Sequence, residues 1–165
     1  MVKRKIALLA LCAVVLWCAP VQGAKKSTSE ERKRAVEGAK ELEKDPLGAN
    51  AKEKLTELLK WWTEVPDLTL TWCANMLTEE LKDADSDLAG AIVAQAPLTA
   101  GAAMIENPEV AKDKRAFAII GLEGALRAYR AAVAKHAGKK NDFLEGLSKE
   151  GALGAYVDSK LPSCK

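Results

Sequence analysis

The chain is poor in the residues from which most catalytic and metal sites are built. Of its 165 residues only one is histidine, His136, and four are cysteine. A zinc-type centre needs several imidazole, thiolate or carboxylate groups at ligand spacing. One imidazole and scattered thiols supply none, so neither metal nor cofactor is expected. No G-x-S-x-G elbow, phosphate-binding loop or dinucleotide fingerprint occurs. Gly121, Gly124 and Gly138 fall on or at the end of a helical stretch with no strand before it, which is the wrong setting for a phosphate loop. Cys73 has no visible base to activate it as a nucleophile. Period-two alternation is nearly absent, and there is no internal repeat or low-complexity tract. Ala, Leu, Glu and Lys, all strong helix formers, fill the chain instead. The expected class is all-α, a single compact bundle of six or seven helices.

Strong net charge is missing too. The whole chain carries +2, but three of the 25 basic residues and none of the 23 acids lie in residues 1–23, leaving 22 basic groups against 23 acidic ones, a net −1. Such a balance lacks the field that draws a protein onto nucleic acid or anionic lipid. Those first residues, "MVKRKIALLALCAVVLWCAPVQG", have a basic start, an apolar run and small side chains before a cut expected after Gly23. They read as a secretory signal of bacterial kind, too short to span about 30 Å of hydrocarbon. Export to a periplasmic or extracellular space is therefore expected, with residues 24–45 forming a charged amphipathic helix and 46–165 the bundle.

Cysteine use agrees with export. Cys12 and Cys18 leave with the signal, and the remaining even pair, Cys73 and Cys164, is expected to form a disulfide in an oxidising compartment.

The helices are expected at residues 28–44, 46–64, 68–82, 88–105 and 113–137, then two short ones in the tail. Thr28-x-x-Glu31 fits a capping box opening the first. That helix has only a thin stripe (Ala35, Val36, Ala39 and Leu42) and is expected to pack loosely. Asp67 is placed as cap of the third helix, Asp87 of the fourth and Asn141 or Asp142 of the tail. Gly138 is placed as the C-terminal cap of the long helix, with His136 in its last turn and Gly151 as a joint. The fourth helix carries no charge over residues 88–105. It is long enough to cross a membrane, but its Ala, Gly, Gln95, Thr99 and Pro97 suit the buried centre of a bundle better than lipid. No stable membrane span is expected once the signal is gone.

Two groups of side chains stand out as candidate sites. Aromatics make up 5% of the chain, yet Trp61, Trp62 and Trp72 gather within "LLKWWTEVPDLTLTWCANML". On a helical wheel Trp62 continues the Leu55–Leu58–Leu59 core face, while Trp61 is turned about 100° away. Trp61, Leu68, Trp72 and Met76 thus form a candidate apolar patch or pocket mouth for a partner or small apolar ligand. The second group is Glu123, Arg127 and Arg130, read as a surface ion-pair ladder that becomes a semi-buried network if its face docks on another helix. No residues are marked as catalytic. The leading expectation is a non-enzymatic binding or interaction protein meeting a protein partner or an apolar ligand. The alternatives are a carrier with an internal pocket beside the fourth helix and, last, a cell-envelope hydrolase using unmarked carboxylates.

Overall fold

The computed structural model describes residues 25–164. The expected signal, with its expected cut after Gly23, and Cys12 and Cys18 lie outside the described residues. Within them all regular structure is helical: α1 (Ser29–Lys44), α2 (Ala51–Glu64), α3 (Ser86–Glu106), α4 (Lys114–Lys135), α5 (Asp142–Leu147) and α6 (Ala152–Lys160), with short 3-10 turns between some of them.

The capping box forms as the sequence implies. Glu31 N donates to Thr28 Oγ1 at 3.2 Å, and Thr28 N donates to Glu31 Oε2 at 2.7 Å, so two otherwise orphaned donors are satisfied at the start of α1. The helix it opens is not loosely attached. Ala35, Val36, Ala39 and Leu42 are all buried. The small side chains allow close approach: a methyl group added to Gly38 would meet Leu58 of α2 at 3.0 Å. Bonds from Lys40 to Glu106 at 2.6 Å and from Arg32 to Asp67 at 2.7 Å pin its flanks. A thin stripe is enough when it is made of small residues and covered completely.

α3 and α4 form the centre and run in opposite directions. Met104 near the end of α3 shares a cavity with Phe117 at the start of α4. At the other end Asp85, which precedes α3, pairs with Lys139 beyond α4 at 2.6 Å. No residue from 91 to 105 is exposed. An 18-residue window of α3 has a mean hydropathy of 1.6, long and apolar enough to cross a bilayer, but here the helix packs against α1, α2 and α4. It continues through Pro97. The contact with α4 is set by two glycines. A methyl on Gly121 would lie 2.7 Å from the Ala96 carbonyl oxygen, and one on Gly124 would lie 2.0 Å from Thr99 Oγ1. Gly101 makes the same kind of room for Trp62, whose indole would be 2.5 Å from an added methyl.

Several local expectations are corrected. Residues 68–82 do not form a helix. The chain is irregular to Cys73, makes a 3-10 turn at Ala74–Met76, and continues in turns to residue 84. In "LTLTW" the burial alternates, with Leu68, Leu70 and Trp72 partly buried and Thr69 and Thr71 exposed. That is the period of an extended chain, favoured here by Pro66 and two β-branched threonines. Asp67 therefore caps no helix and instead accepts from Ser27 N at 2.9 Å and from Arg32. Asp85, not Asp87, caps α3, accepting from Leu88 N at 3.0 Å. The long helix ends at His136 rather than at Gly138, because another 3-10 turn, Ala137–Lys139, takes over the chain there. Asn141 caps α5, and Gly151, at φ 74°, is the joint before α6. Leu59, assigned to the core face of α2, is 39% exposed.

The core has two parts. One gathers Met76, Leu77, Leu81, the first half of α3, most of α4, and α5 and α6. The other gathers α1, α2, the second half of α3 and Phe117. Trp72 packs against both.

A matched pair of substitutions tests the helix contact. Gly124→Ala is expected to lower stability by about 1–3 kcal/mol, since Thr99 and the α3 backbone must move. Gly90→Ala, where an added methyl meets nothing within 4 Å, is expected to raise it by about 0.5–1 kcal/mol. Urea unfolding of the two variants checks both signs.

Candidate functional site

The irregular strap of residues 65–73 is positioned by its two ends. Asp67 ties the first to Ser27 and Arg32. At the second, Cys73 is bonded to Cys164, Cα to Cα 5.4 Å across 91 residues of sequence. The expected disulfide is therefore present, and it brings the C-terminal tail against the strap. Asn75 Nδ2 donates to Ser163 Oγ at 3.4 Å beside it.

A second tether backs up the first. Tyr156 of α6 donates to the carbonyl of Met76, and Lys160 forms an ion pair with Glu80. The Lys160 ammonium also lies 5.5 Å from the Tyr156 ring centroid. Burial opposes ionisation of Glu80, yet the bond from Lys160 holds its carboxyl below the ordinary value. Burial and the neighbouring Glu80 charge push the Tyr156 phenol up, so it stays protonated and keeps donating.

Between strap, tail and central helices lies a cleft of ≈ 350 Å³. Its apolar wall comprises Trp72, Met76, Met104, Phe117, Ala118 and Leu161, together with the disulfide, and Thr69, Thr71 and Lys114 also border it. Trp72 and Phe117 face one another with ring centroids 6.4 Å apart and planes at 60°. This combination of an apolar hollow with a few polar groups at its border is the form most small-molecule sites take.

The four residues of the candidate patch are thus divided. Trp72 and Met76 border the cleft together, Met76 being only 1% exposed. Trp61 stands instead in a shallow groove between α1 and α2 among Glu31, Glu37, Glu41 and Glu57, its ring edge-on to Trp62 at 5.1 Å. Leu68 packs on the α1–α2 side of the core and does not line this cleft. They separate because the helix assumed to align them is an extended strap. Met104, Phe117, Ala118 and Leu161 were missed. Of these, Leu161 was within reach of sequence reasoning, since a bond from Cys73 to Cys164 carries the tail to Trp72.

The Glu123–Arg127–Arg130 ladder is also rearranged. Arg127 lies 4.0 Å from Glu123, but donates from Nε to Glu43 Oε1 of α1 at 2.6 Å and from an amino nitrogen to Glu43 Oε2 at 3.2 Å. A bidentate partner on another helix outcompetes the single i,i+4 contact. Arg130 leaves the ladder and donates to the Leu126 carbonyl at 3.1 Å. The network continues inward: Thr99 reaches Glu43 at 3.4 Å, and Gln95, 2% exposed, donates to Thr99 Oγ1 and to the Ala39 carbonyl, each at 3.0 Å. This chain of bonds links α1, α3 and α4. Among the described residues no group of three or more His, Cys, Asp or Glu side chains is placed to hold a metal ion.

Compared with protein-family models, curated proteins and solved structures, the chain matches none.

Two measurements test the tethers. Replacing both Cys73 and Cys164 with alanine is expected to cost about 4–5 kcal/mol in urea unfolding, from the loop entropy returned to the unfolded chain. Glu80's folded pKa lies below its ordinary value of 4.5, so its contribution is complete above that pH and disappears as pH falls through the folded value. Glu80→Gln is expected to destabilise the protein at pH 7 by about 1–3 kcal/mol. The difference from wild type should shrink steadily in acid, and a constant difference from pH 7 to pH 3 would refute the assignment.

Proposed function

We propose that this protein is an exported, non-enzymatic binding protein that holds a small apolar ligand, or an equally small apolar part of a partner, in the cleft beside the disulfide. The observation that carries this reading is the hollow of ≈ 350 Å³ walled by Trp72, Met76, Met104 and Phe117. Ordinary core packing leaves few voids larger than a water molecule, and here an aromatic pair borders one at the surface. Export is supported by the basic-then-apolar start of the chain and by the pairing of the two cysteines that lie beyond it. The binding reading is preferred to hydrolysis because the cleft borders on no carboxylate among the described residues, whereas glycoside cleavage uses two.

The test uses N-phenyl-1-naphthylamine, a neutral apolar dye whose emission rises in apolar surroundings. The expected result is saturable binding of one dye per chain, with Trp72 emission quenched as it binds. Ala111 is exposed at the border of the cleft, so Ala111→Trp should block entry without touching the core and lower dye affinity at least tenfold. Native mass spectrometry of protein purified from its own host should show a retained small-molecule adduct. Absence of both dye binding and adduct would overturn the reading.

A further inference from the structure

From the charges around this cleft we infer that its ligand is a small amphiphile with an anionic head, and that Lys114 is the residue selecting it; the inference rests on the cleft being a ligand site. Among the described residues that border the cleft, Lys114 is the one charged side chain, and no acid faces it there. Neighbouring charges are already engaged. Asp113 accepts from Arg115 N at 2.9 Å and Ala116 N at 3.1 Å as the cap of α4. Arg115 is held by Asp158 in a bidentate pair at 2.6 and 3.0 Å. Lys114 forms no ion pair with any described residue. The threonines of the strap, Thr69 and Thr71, add hydroxyl donors at the border.

An occupant therefore meets apolar surface over its body, and one cation with two hydroxyls at its polar end. A cationic head would face Lys114 with no carboxylate to balance it. A neutral molecule would leave the ammonium unused. A peptide is a poorer fit, because the hollow is small and the described residues contain no strand whose edge an extended peptide could join. The chemistry that matches is a medium-length alkyl or aryl body ending in a carboxylate or a similar anion.

The experiment compares displacement of bound N-phenyl-1-naphthylamine by decanoate and by decanol, both kept below their aggregation concentrations, in wild type and in Lys114→Gln and Lys114→Glu. Wild type is expected to prefer decanoate by about three- to tenfold at low salt, the preference shrinking at 0.5 M salt, as about a tenfold gain per 1.4 kcal/mol implies for one exposed charge. Lys114→Gln should abolish the preference and Lys114→Glu should reverse it, each read as the ratio of decanoate to decanol displacement within the same variant. Neither variant threatens the fold, since removing a cation from the first turn of α4 is mildly favourable to the helix. Equal displacement by decanoate and decanol in wild type, or a preference that survives Lys114→Glu, would overturn the anionic assignment while leaving the apolar cleft standing. Displacement by a peptide with an apolar C-terminal residue but not by decanoate would overturn it in favour of a protein ligand. Failure of the dye itself to bind would overturn the cleft reading as a whole.

Discussion

The closeness of α3 to α4 is the constraint from which the rest of the structure follows. With Gly121 against the Ala96 carbonyl and Gly124 against Thr99, the two helices approach more closely than any larger side chain at either position would allow. Dispersion contacts then accumulate along both helices, and the small residues that permit this add little bulk of their own. Bringing Thr99 to this contact also carries Gln95 inward, where it has to find partners because a buried amide without them is costly. It finds the Ala39 carbonyl and Thr99, and through Thr99 the pair formed by Glu43 and Arg127. One steric fact, glycine facing a small side chain, thus selects the position of α1 as well as the packing of the central pair. Buried polar networks of this kind specify a single arrangement more than they add to total stability.

The same contact explains why a cleft exists. At the far end of α3 and the near end of α4 the glycines give way to Met104 and Phe117, which are buried and border the hollow. Trp72 approaches from the strap, its indole lying where a methyl on Gly121 would be, at 2.6 Å. The strap is a single thickness of chain. It can cover part of the gap but not fill it, and the disulfide fixes how near it comes. The hollow is therefore bounded by tethered segments rather than by helix-on-helix packing. Such segments open locally at lower energy than the core does, which would give the proposed ligand a route in without unfolding the bundle.

Composition and helical periodicity carried much of the fold. The all-helical class, the capping box at Thr28, the buried central helix, the joint at Gly151 and the disulfide were each readable because a local rule and a global need agreed there. The strap was not, although its signal was present. Residues 68–72 alternate in burial, but Leu70, Cys73, Leu77 and Leu81 also fall on one helical stripe, and so short an alternating run is hidden in a chain otherwise helical. Two threonines and a preceding proline were the evidence against it. The site was less legible than the fold for a related reason. Its members come from the strap, α3, α4 and the tail, and only the disulfide linked any of these in advance. Arg127 shows the same limit. An i,i+4 partner can be read along one helix, whereas the competing carboxylate of Glu43 becomes visible only when α1 docks.

What separates the cleft from an ordinary packing defect is where its polar groups sit. Inside the bundle, Gln95, Thr99 and Glu43 bond to one another and to the Ala39 carbonyl and Arg127. Around the cleft the arrangement is reversed. The wall is apolar and unlinked, and the groups able to bond a ligand stand at the border, where they are solvated while the site is empty and lose little by waiting. An exposed ammonium costs nothing to maintain in water, yet beside an apolar hollow it acts through a lower effective dielectric on whatever enters. Affinity would then come from the body of the ligand and selection from its head. That division of labour fits a cleft that is apolar within and singly charged at its edge.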